Sequence, residues 1–153
     1  LPIFVKILLE VTRPDILFLG QKDFQQCLIL TQLIRSLKMP VEPVMCPIYR
    51  EPHGLAMSSR NVRLNPQTRL KAGAIYASLQ YAAAMVNILT PQEIQQAASA
   101  ALNTLEGFTV DYFLLLNADN LKPITPETPT NRIVIITAVI VDGVRLLDNM
   151  VIS

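Results

Sequence analysis

Residues 16–23 read Ile-Leu-Phe-Leu-Gly-Gln-Lys-Asp, and this stretch decides the fold. Four consecutive apolar residues that end at Gly20 are typical of a short strand buried on both faces of a parallel sheet. From Asp23 to Pro40 the apolar residues recur at helical spacing, and residues 41–46 form a second strand-like run. Strand, helix and strand within about 30 residues make one βαβ unit, whose crossover we expect to be right-handed.

Capping and turn residues predict most of the remaining elements. Asn65-Pro66 is an N-cap followed by proline, and it begins a long helix that reaches about Leu89. Thr90-Pro91-Gln92-Glu93 is a capping box, which begins another helix. Asp142-Gly143 is typical of a two-residue hairpin turn. The elements predicted from apolar periodicity are a helix at 3–12, the capping-box helix to Glu106, strands at 108–117, 132–141 and 144–148, and a loop at 117–131.

The composition predicts a folded chain with a substantial core. Of the 153 residues, 51% are hydrophobic and 16% charged, and the net charge is +1. Such a balance gives no reason to expect nucleic acid or an anionic membrane as a partner. No apolar run approaches the roughly 18 residues of a membrane span. Because the pattern changes near residue 62, we expect parallel α/β material over residues 1–61 and a small α+β domain over residues 62–153.

Cysteine and histidine usage argues against a metal centre. Cys27 and Cys46 fit small buried hydrophobes in a reducing compartment, so we expect a cytoplasmic protein without a disulfide. His53 is the single histidine, and we interpret it as a loop residue without a catalytic partner. We therefore predict no metal-ligating residue. The chain begins Leu1-Pro2-Ile3 with no signal-peptide pattern, as if cut from something longer.

Polar residues follow the first predicted strand, at the edge of a parallel sheet where ligands bind. Gly20 lets a ligand approach the backbone closely, and Lys22 offers a point charge for phosphate oxygens. Asp23 has two alternatives, since it could accept hydrogen bonds from a ribose diol or cap the following helix. Gln26 shares the helical face of Lys22 and Asp23, and it could instead be a simple exposed amide.

A second polar group lies in the loop Arg50–Asn61, which has almost no hydrophobic period. Ser58, Ser59 and Arg60 gather two hydroxyls and a guanidinium, which suit the oxygens of a polyphosphate. The alternative is a solvated loop whose serines cap the next helix. Since both polar groups follow strands of one predicted sheet, we expect them at the same edge, as a nucleoside triphosphate site.

Five segments together carry a family resemblance. They are Arg13-Pro14-Asp15, Gly20-Gln21-Lys22-Asp23 with Gln25-Gln26, Arg50-Glu51-Pro52, Gly54-Leu55-Ala56-Met57-Ser58-Ser59-Arg60-Asn61, and Arg145-Leu146-Leu147-Asp148-Asn149. They resemble the pantothenate synthetase (pantoate–β-alanine ligase) family, in register along essentially the whole chain. That family belongs to the nucleotidylyltransferases related to class I aminoacyl-tRNA synthetases, and residues 57–60 resemble their mobile KMSKS-type loop.

The resemblance implies a ligase that depends on ATP and Mg²⁺ and acts in two steps. Pantoate would form pantoyl adenylate and pyrophosphate, and the β-alanine amine would then displace AMP. The implied roles assign phosphate contact to Lys22 and ribose contact to Asp23 with Gly20. Gln26 would bind pantoate. Adenine would lie against the Tyr49 backbone and Met57. The triphosphate and the leaving pyrophosphate would be bound by Ser58, Ser59 and Arg60. These three residues and Lys22 form the implied catalytic set.

The resemblance also implies the fold and its missing part. It predicts a truncated Rossmann-like (HUP, adenine nucleotide alpha hydrolase-like) sheet segment plus an α+β lid domain of two helices and a three-stranded antiparallel sheet. The histidine motif, most pantoate contacts and the Mg²⁺-binding acids belong to the family's first half, so we expect a carboxyl-terminal fragment that is inactive alone. The family is dimeric. Tyr49 and His53 depart from the family pattern, where a smaller β-branched residue and an acid are expected. The rival hypothesis is a non-catalytic, self-associating binding module.

Overall fold

The computed structural model describes residues 2–125, 127 and 130–153, which divide into two compact units, residues 1–48 and 49–153. The first unit contains helix α1 (Pro2–Thr12), strand β1 (Ile16–Gly20), helix α2 (Phe24–Ser36) and strand β2 (Glu42–Cys46). A short 3₁₀ turn over Gln21–Asp23 joins β1 to α2. The strands pair in parallel, which confirms the predicted βαβ unit.

The strands of the first unit are less buried than predicted. Residues along β1 alternate between exposed and half-buried, and Phe18 is 67% exposed. The prediction of burial on both faces was therefore wrong for β1. The reason is that this sheet has two strands, and α2, whose buried residues include Phe24, Cys27 and Leu30, packs against the strands. Neither strand has a second layer over it within residues 2–48.

The second unit begins with helices whose starts were predicted from their caps. The Asn65 side chain accepts from the Thr68 amide at the start of helix α3 (Pro66–Lys71). Helix α4 spans Ala74–Met85 and helix α5 spans Pro91–Asn103, where the capping box of Thr90 and Glu93 is complete. Both caps are confirmed, although α5 ends before the predicted Glu106.

The long helix predicted from residue 65 to residue 89 is broken, and that prediction was wrong. A turn at Ala72-Gly73 separates α3 from α4, and α4 ends at Met85. A β-carbon built on Gly73 would lie 2.4 Å from the His53 carbonyl oxygen, so the helix passes the Arg50–Asn61 loop too closely for a side chain there. Glycine also weakens a helix interior. The crowding explains why residue 73 is glycine, and the glycine in turn weakens the helix where α3 and α4 meet.

Three antiparallel strands complete the second unit in the order β3 (Phe108–Asn117), β4 (Ile133–Val141) and β5 (Val144–Ile152). The Asp142-Gly143 hairpin joins the last two strands, as predicted, with Val141 paired to Val144. β5 extends four residues past its predicted end at Asp148, since its pairing with β4 continues to Ile152. The predicted loop at 117–131 is partly outside the described residues.

The core of the second unit lies between the helices and one face of this sheet. Its fully buried side chains include Ile75, Leu79 and Ile94 from the helices and Ile135 and Val139 from β4. Apolar burial of this kind is the main stabilising term of a domain. No helix within the described ranges is long and apolar enough to cross a membrane.

The boundary between the compact units precedes the Arg50–Asn61 loop, which packs with the α+β unit. The sequence placed that loop at the end of the parallel α/β part. The division of the chain at residues 61/62 into parts of two domains stays a prediction.

We predict that Gly73→Ala destabilises the second unit, although alanine is the better helix former. Helix propensity alone would stabilise by about 1 kcal/mol. The backbone carbonyl of His53 cannot move aside as a flexible side chain could, so the crowding should prevail and cost about 1–3 kcal/mol. Urea unfolding followed by tyrosine fluorescence measures this, because all four tyrosines lie in the second unit.

The matched control is Gln80→Ala, at an exposed position of α4. This variant should stay within about 0.5 kcal/mol of the wild-type chain. A Gly73→Ala variant more stable than the wild-type chain would show that the loop yields to the added methyl group.

Candidate functional site

In the first unit, the turn after β1 places Gly20, Lys22 and Asp23 together. Gly20 has ordinary extended torsions, φ −76° and ψ 119°, so its backbone does not require glycine. A β-carbon at Gly20 would meet nothing within 4 Å. The space beside this backbone is open, as the prediction of close ligand approach requires. Within the described residues, crowding therefore does not explain the glycine.

Asp23 occupies the N-cap position of α2 without acting as a cap. Its φ and ψ are −97° and 57°, and its side chain makes no capping hydrogen bond. The carboxylate is exposed. The capping alternative for Asp23 is therefore wrong, and the ribose alternative remains as a prediction. Gln26 follows on the same helix and is exposed.

Cys27 lies on the buried side of this helix. Its thiol donates to the Gly20 carbonyl at 3.1 Å, which ties the start of α2 to the end of β1. Burial raises the pKa of the Cys27 thiol, and the nearby Asp23 carboxylate raises it further. Both cysteines are free, and Cys27 is buried as predicted while Cys46 is only half-buried.

In the second unit, residues 50–56 form a tight turn, which we call the 50–56 turn. Arg50 and Ala56 make an antiparallel bridge, and the Glu51 amide donates to the Leu55 carbonyl at 2.8 Å. Gly54 has φ +99°, which favours glycine, and its amide donates to the Glu51 carbonyl. The predicted loop therefore has a defined, hydrogen-bonded conformation.

Arg50 fixes this turn to the last strand of the sheet. Its guanidinium donates to both carboxylate oxygens of Asp148, at 2.7 and 2.9 Å, and to the Gly54 carbonyl at 3.0 Å. It also donates to the Asn149 carbonyl at 3.4 Å and stacks on the Tyr76 ring, 3.8 Å from its centroid. The Asp148 side chain is only 2% exposed, so this carboxylate depends on its partners.

Glu51 is the centre of a second polar cluster in the same turn. It accepts from the Arg69 guanidinium at 2.8 and 3.0 Å and from the Asn61 amide at 2.8 Å. Hydrogen bonds from Arg69 lower the pKa of the Glu51 carboxyl, burial opposes this effect, and the Asn61 amide lowers the pKa further. Asn61 also donates to the Ala56 carbonyl, and it is 1% exposed.

His53 lies beside this cluster rather than beside a nucleophile. Its Nε2 is 3.7 Å from the Glu51 carboxylate, buried and without a hydrogen-bond partner among the described residues. A protonated imidazole would pair with Glu51. Glu51 could not be predicted as its neighbour from the sequence, because no local pattern indicates the turn that brings the two residues together.

Ser58, Ser59 and Arg60 directly follow the 50–56 turn and Met57. Ser58 caps the 3₁₀ helix Ser59–Arg63, and its hydroxyl oxygen accepts from the Arg60 amide at 3.2 Å. The capping alternative is thus correct for Ser58, whose hydroxyl proton can still be donated. Ser59 and Arg60 are exposed. Two donors therefore point to solvent from a fixed backbone.

Tyr49 and Met57, the two residues expected to border adenine, are neighbours. The Met57 amide donates to the Tyr49 carbonyl at 2.9 Å, and both side chains are exposed. Each unit therefore brings together its own predicted group, Gly20 to Gln26 in the first and Tyr49 to Arg60 in the second. The predicted meeting of the two groups stays a prediction.

The residues that support the second group could not be identified from the sequence. Asp148 is 98 residues from Arg50, and Arg69 is 18 residues from Glu51. Arg50, Glu51 and Asp148 lay in the motif segments, but no spacing rule links such distant positions. Tyr76 and Arg69 belonged to a helical pattern and carried no signal of their own. Only the packing of the turn on α3, α4 and β5 reveals these partners.

Comparisons with known proteins agree with the resemblance. The family model described as pantoate–beta-alanine ligase matches residues 2–151. A pantothenate synthetase of Azobacteroides pseudotrichonymphae is 38% identical over 146 residues, covering 95% of this chain and 52% of that protein. One of Cytophaga hutchinsonii is 38% identical over 152 residues, covering 98% and 54%. The chain thus spans about half the length of the curated relatives it matches.

Solved structures give the same result. Pantothenate synthetase from Thermus thermophilus is 33% identical, with a TM-score of 0.87 over 95% of this chain and 52% of that one. A pantoate–beta-alanine ligase from Francisella tularensis, complexed with beta-gamma ATP and beta-alanine, is 27% identical with a TM-score of 0.68, covering 95% and 47%. The fold class predicted from the sequence is thereby confirmed.

We predict that Glu51→Gln weakens the second unit in a pH-dependent way. Because the pKa of Glu51 is lowered in the folded state, its contribution is complete above the ordinary carboxyl pKa and is lost as pH falls through the lowered value. At pH 7 the variant should be less stable by about 1–2 kcal/mol. The difference in stability between the variant and the wild-type chain should disappear below about pH 4. Urea unfolding at several pH values measures it.

An Arg69→Gln background supplies the control, since the strongest partner of Glu51 is then already removed. In that background Glu51→Gln should change stability much less. Stability curves for wild type and Glu51→Gln that run parallel from pH 7 to pH 3 would contradict the prediction.

Proposed function

The chain belongs to the pantoate–beta-alanine ligase family, and we propose that it supplies the carboxyl-terminal part of the ATP site of such an enzyme. The observation that carries the proposal is the fixed loop of the second unit, which presents Ser59 and Arg60 to solvent from a backbone held by buried polar contacts. Donors on a fixed backbone suit the triphosphate of a nucleotide, because they need no rearrangement when charge develops.

In the proposed site, Lys22 and Arg60 neutralise phosphate oxygens. The hydroxyl groups of Ser58 and Ser59 donate hydrogen bonds to the β- and γ-phosphates and to the leaving pyrophosphate. A Lys point charge and a planar Arg fork are complementary ways to bind phosphate. Because phosphate chemistry needs positioning and charge neutralisation more than a protein nucleophile, these four residues suffice as this chain's catalytic set.

The nucleoside and the acid have their own proposed contacts. Asp23 accepts from the ribose hydroxyls beside the open backbone of Gly20, which agrees with an exposed carboxylate that makes no capping bond. The Tyr49 backbone and Met57 border adenine. Gln26 donates to pantoate from the exposed face of α2.

The proposed reaction has two steps. A pantoate carboxylate oxygen attacks the α-phosphorus of ATP, the bond to the bridging oxygen of pyrophosphate breaks, and pantoyl adenylate forms. The β-alanine amine then attacks the acyl carbon and loses a proton, and AMP leaves to give pantothenate. This chain's residues act mainly in the first step, where they stabilise the negative charge that builds on pyrophosphate.

Magnesium and location complete the proposal. Mg²⁺ would add charge neutralisation at the phosphates. Within the described ranges, no group of three or more His, Cys, Asp or Glu side chains could hold a metal ion. We further propose a cytoplasmic location, in line with two free cysteines. A homodimer, as in the family, is also proposed.

A second candidate is a self-associating module without catalysis. The observation that favours it is the exposed apolar surface of the first unit, where Ile3, Phe4 and Val11 of α1 are each more than 70% exposed. Exposed apolar patches of this kind mark interaction surfaces.

We predict that this chain alone forms no pantothenate, and that adding the amino-terminal half of a relative restores the first step. Pyrophosphate release should require that half together with ATP, Mg²⁺ and pantoate, because the chain spans about half of each relative. A coupled pyrophosphate assay and light scattering, run on the same samples, measure turnover and association. A normal rate from this chain alone would refute the fragment interpretation. Association of the chain with itself, and no turnover in the mixture, would favour the second candidate.

We also predict that Lys22→Ala and Arg60→Ala each weaken ATP binding or turnover in the reconstituted enzyme. One charge-assisted hydrogen bond is worth about 1.5–3 kcal/mol, or roughly 10- to 150-fold in kcat/KM. Steady-state kinetics with varied ATP measures this loss. Lys38→Ala, which removes a lysine from the turn after α2, is the control and should match the wild-type protein. Wild-type kinetics from both site variants would remove these residues from the site.

A further inference from the structure

Arg50 is the residue through which the phosphate-directed segment is attached to the sheet. The backbone hydrogen bonds of the 50–56 turn join residues of the turn and its flanks to one another, so they do not attach the turn to the sheet. The guanidinium adds contacts outside the turn, to both Asp148 oxygens, to the Asn149 carbonyl and to the Tyr76 ring. The same guanidinium bonds the Gly54 carbonyl at the tip of the turn. One side chain thus joins the turn to β5.

The position of the turn sets the position of Ser58–Arg60. On one side, Met57 is bonded to the Tyr49 carbonyl, next to Arg50 in the chain. On the other side, the buried Asn61 amide donates to Glu51 and to the Ala56 carbonyl, both in the turn. Ser58–Arg60 lies between these two attachments. A displaced turn therefore displaces the three proposed phosphate donors with it.

We propose that Arg50 is a positioning residue of the proposed reaction, and that its bidentate pair with Asp148 holds Ser58–Arg60 in the geometry that the transition state requires. The inference rests on the proposed function of that segment. Lysine cannot reproduce the contact, because it lacks the planar fork that reaches both Asp148 oxygens and stacks on Tyr76. In the proposed reaction Arg50 contacts no substrate, and it acts only by holding the loop that carries Ser58–Arg60.

The chain offers a matched control in Arg145 and Asp111. Arg145 donates to one oxygen of Asp111 at 2.7 and 3.2 Å and lies 5.8 Å from the centroid of the Tyr112 ring, so the same groups meet in a looser arrangement. The side chains of Arg145 and Asp111 are both nearly half exposed, and this pair lies away from the 50–56 turn along β5. Exposed ion pairs contribute little. Replacing Arg145 tests the loss of such a pair without any change at the loop.

The first experiment is amide hydrogen exchange on the 153-residue chain. Arg50→Lys should exchange at least about tenfold faster than wild type at the hydrogen-bonded amides of Glu51, Gly54 and Met57, while the central β4 amides keep wild-type rates. Arg145→Lys should match wild type at both sets. Asp148→Asn is the second variant, in case Arg50→Lys folds poorly. It keeps the shape of the side chain but leaves the Arg50 guanidinium without its carboxylate, so it should also loosen the turn. Wild-type exchange in the turn for either folded variant overturns the proposal.

The second experiment measures kinetics in the enzyme reconstituted with an amino-terminal half. Arg50→Lys should lower kcat by about 10- to 100-fold with a much smaller change in KM for ATP, because misplaced donors affect the transition state more than ground-state binding. Arg50→Lys/Asp148→Asn should lose no more than Arg50→Lys alone, since the pair acts as a unit. A loss confined to KM, or independent additive losses, would contradict a positioning role.

The kinetics of Arg60→Ala distinguish a failure of the positioning role from a failure of the proposed function. If it lowers turnover while Arg50→Lys and Arg145→Lys both keep wild-type kcat, the positioning role is wrong and the proposed function stands. If Arg60→Ala keeps wild-type kinetics, the proposed function of the segment is wrong, and the positioning role fails with it.

Discussion

The structure of the candidate site depends on a buried carboxylate. Asp148 lies on β5 with its side chain 2% exposed, in a unit whose core is mainly apolar. A charge in that environment is costly unless it is paired and hydrogen-bonded. Arg50 supplies the pair in bidentate form, and the Asn149 amide donates to Asp148 at 2.7 Å. Because the requirement is geometric, the carboxylate determines where Arg50, and therefore the loop that begins there, must lie.

The second polar cluster explains why the loop is held at both ends. Glu51 accepts hydrogen bonds from Arg69 and Asn61, and the Asn61 side-chain amide also donates to the Ala56 carbonyl. Apolar packing alone could hold a loop against a sheet in several similar positions, since apolar contact has no direction. Hydrogen bonds to buried charges specify one position. The two clusters thus fix the loop where Leu55 and Ala56, its buried apolar residues, could not do so alone.

Local sequence rules predicted most elements, and tertiary contacts explain what they missed. The capping box at Thr90, the N-cap at Asn65 and the Asp142-Gly143 turn involve residues within three positions of each other, so the sequence contains the whole interaction. The glycine at the break between α3 and α4 is required by the nearby His53 carbonyl, which no helical period reports. The partial exposure of β1 depends on how many strands and layers surround it. The residues of the proposed site could be named because motif and resemblance point to them directly, whereas Asp148, Tyr76 and Arg69 become the partners of Arg50 and Glu51 only after folding.

The difference between residues that the sequence can predict and residues that it cannot has a physical reason. Ser59 and Arg60, which are proposed to meet the phosphates, are polar and exposed, and exposed side chains have no stable position of their own. A phosphate site nevertheless needs donors placed within a fraction of an ångström, because the electrostatic advantage is lost if the groups must reorganise during reaction. The order must therefore come from neighbours that are buried and paired. In this chain those neighbours come from two helices and the last strand, so the precision of a three-residue segment is a property of the whole α+β unit.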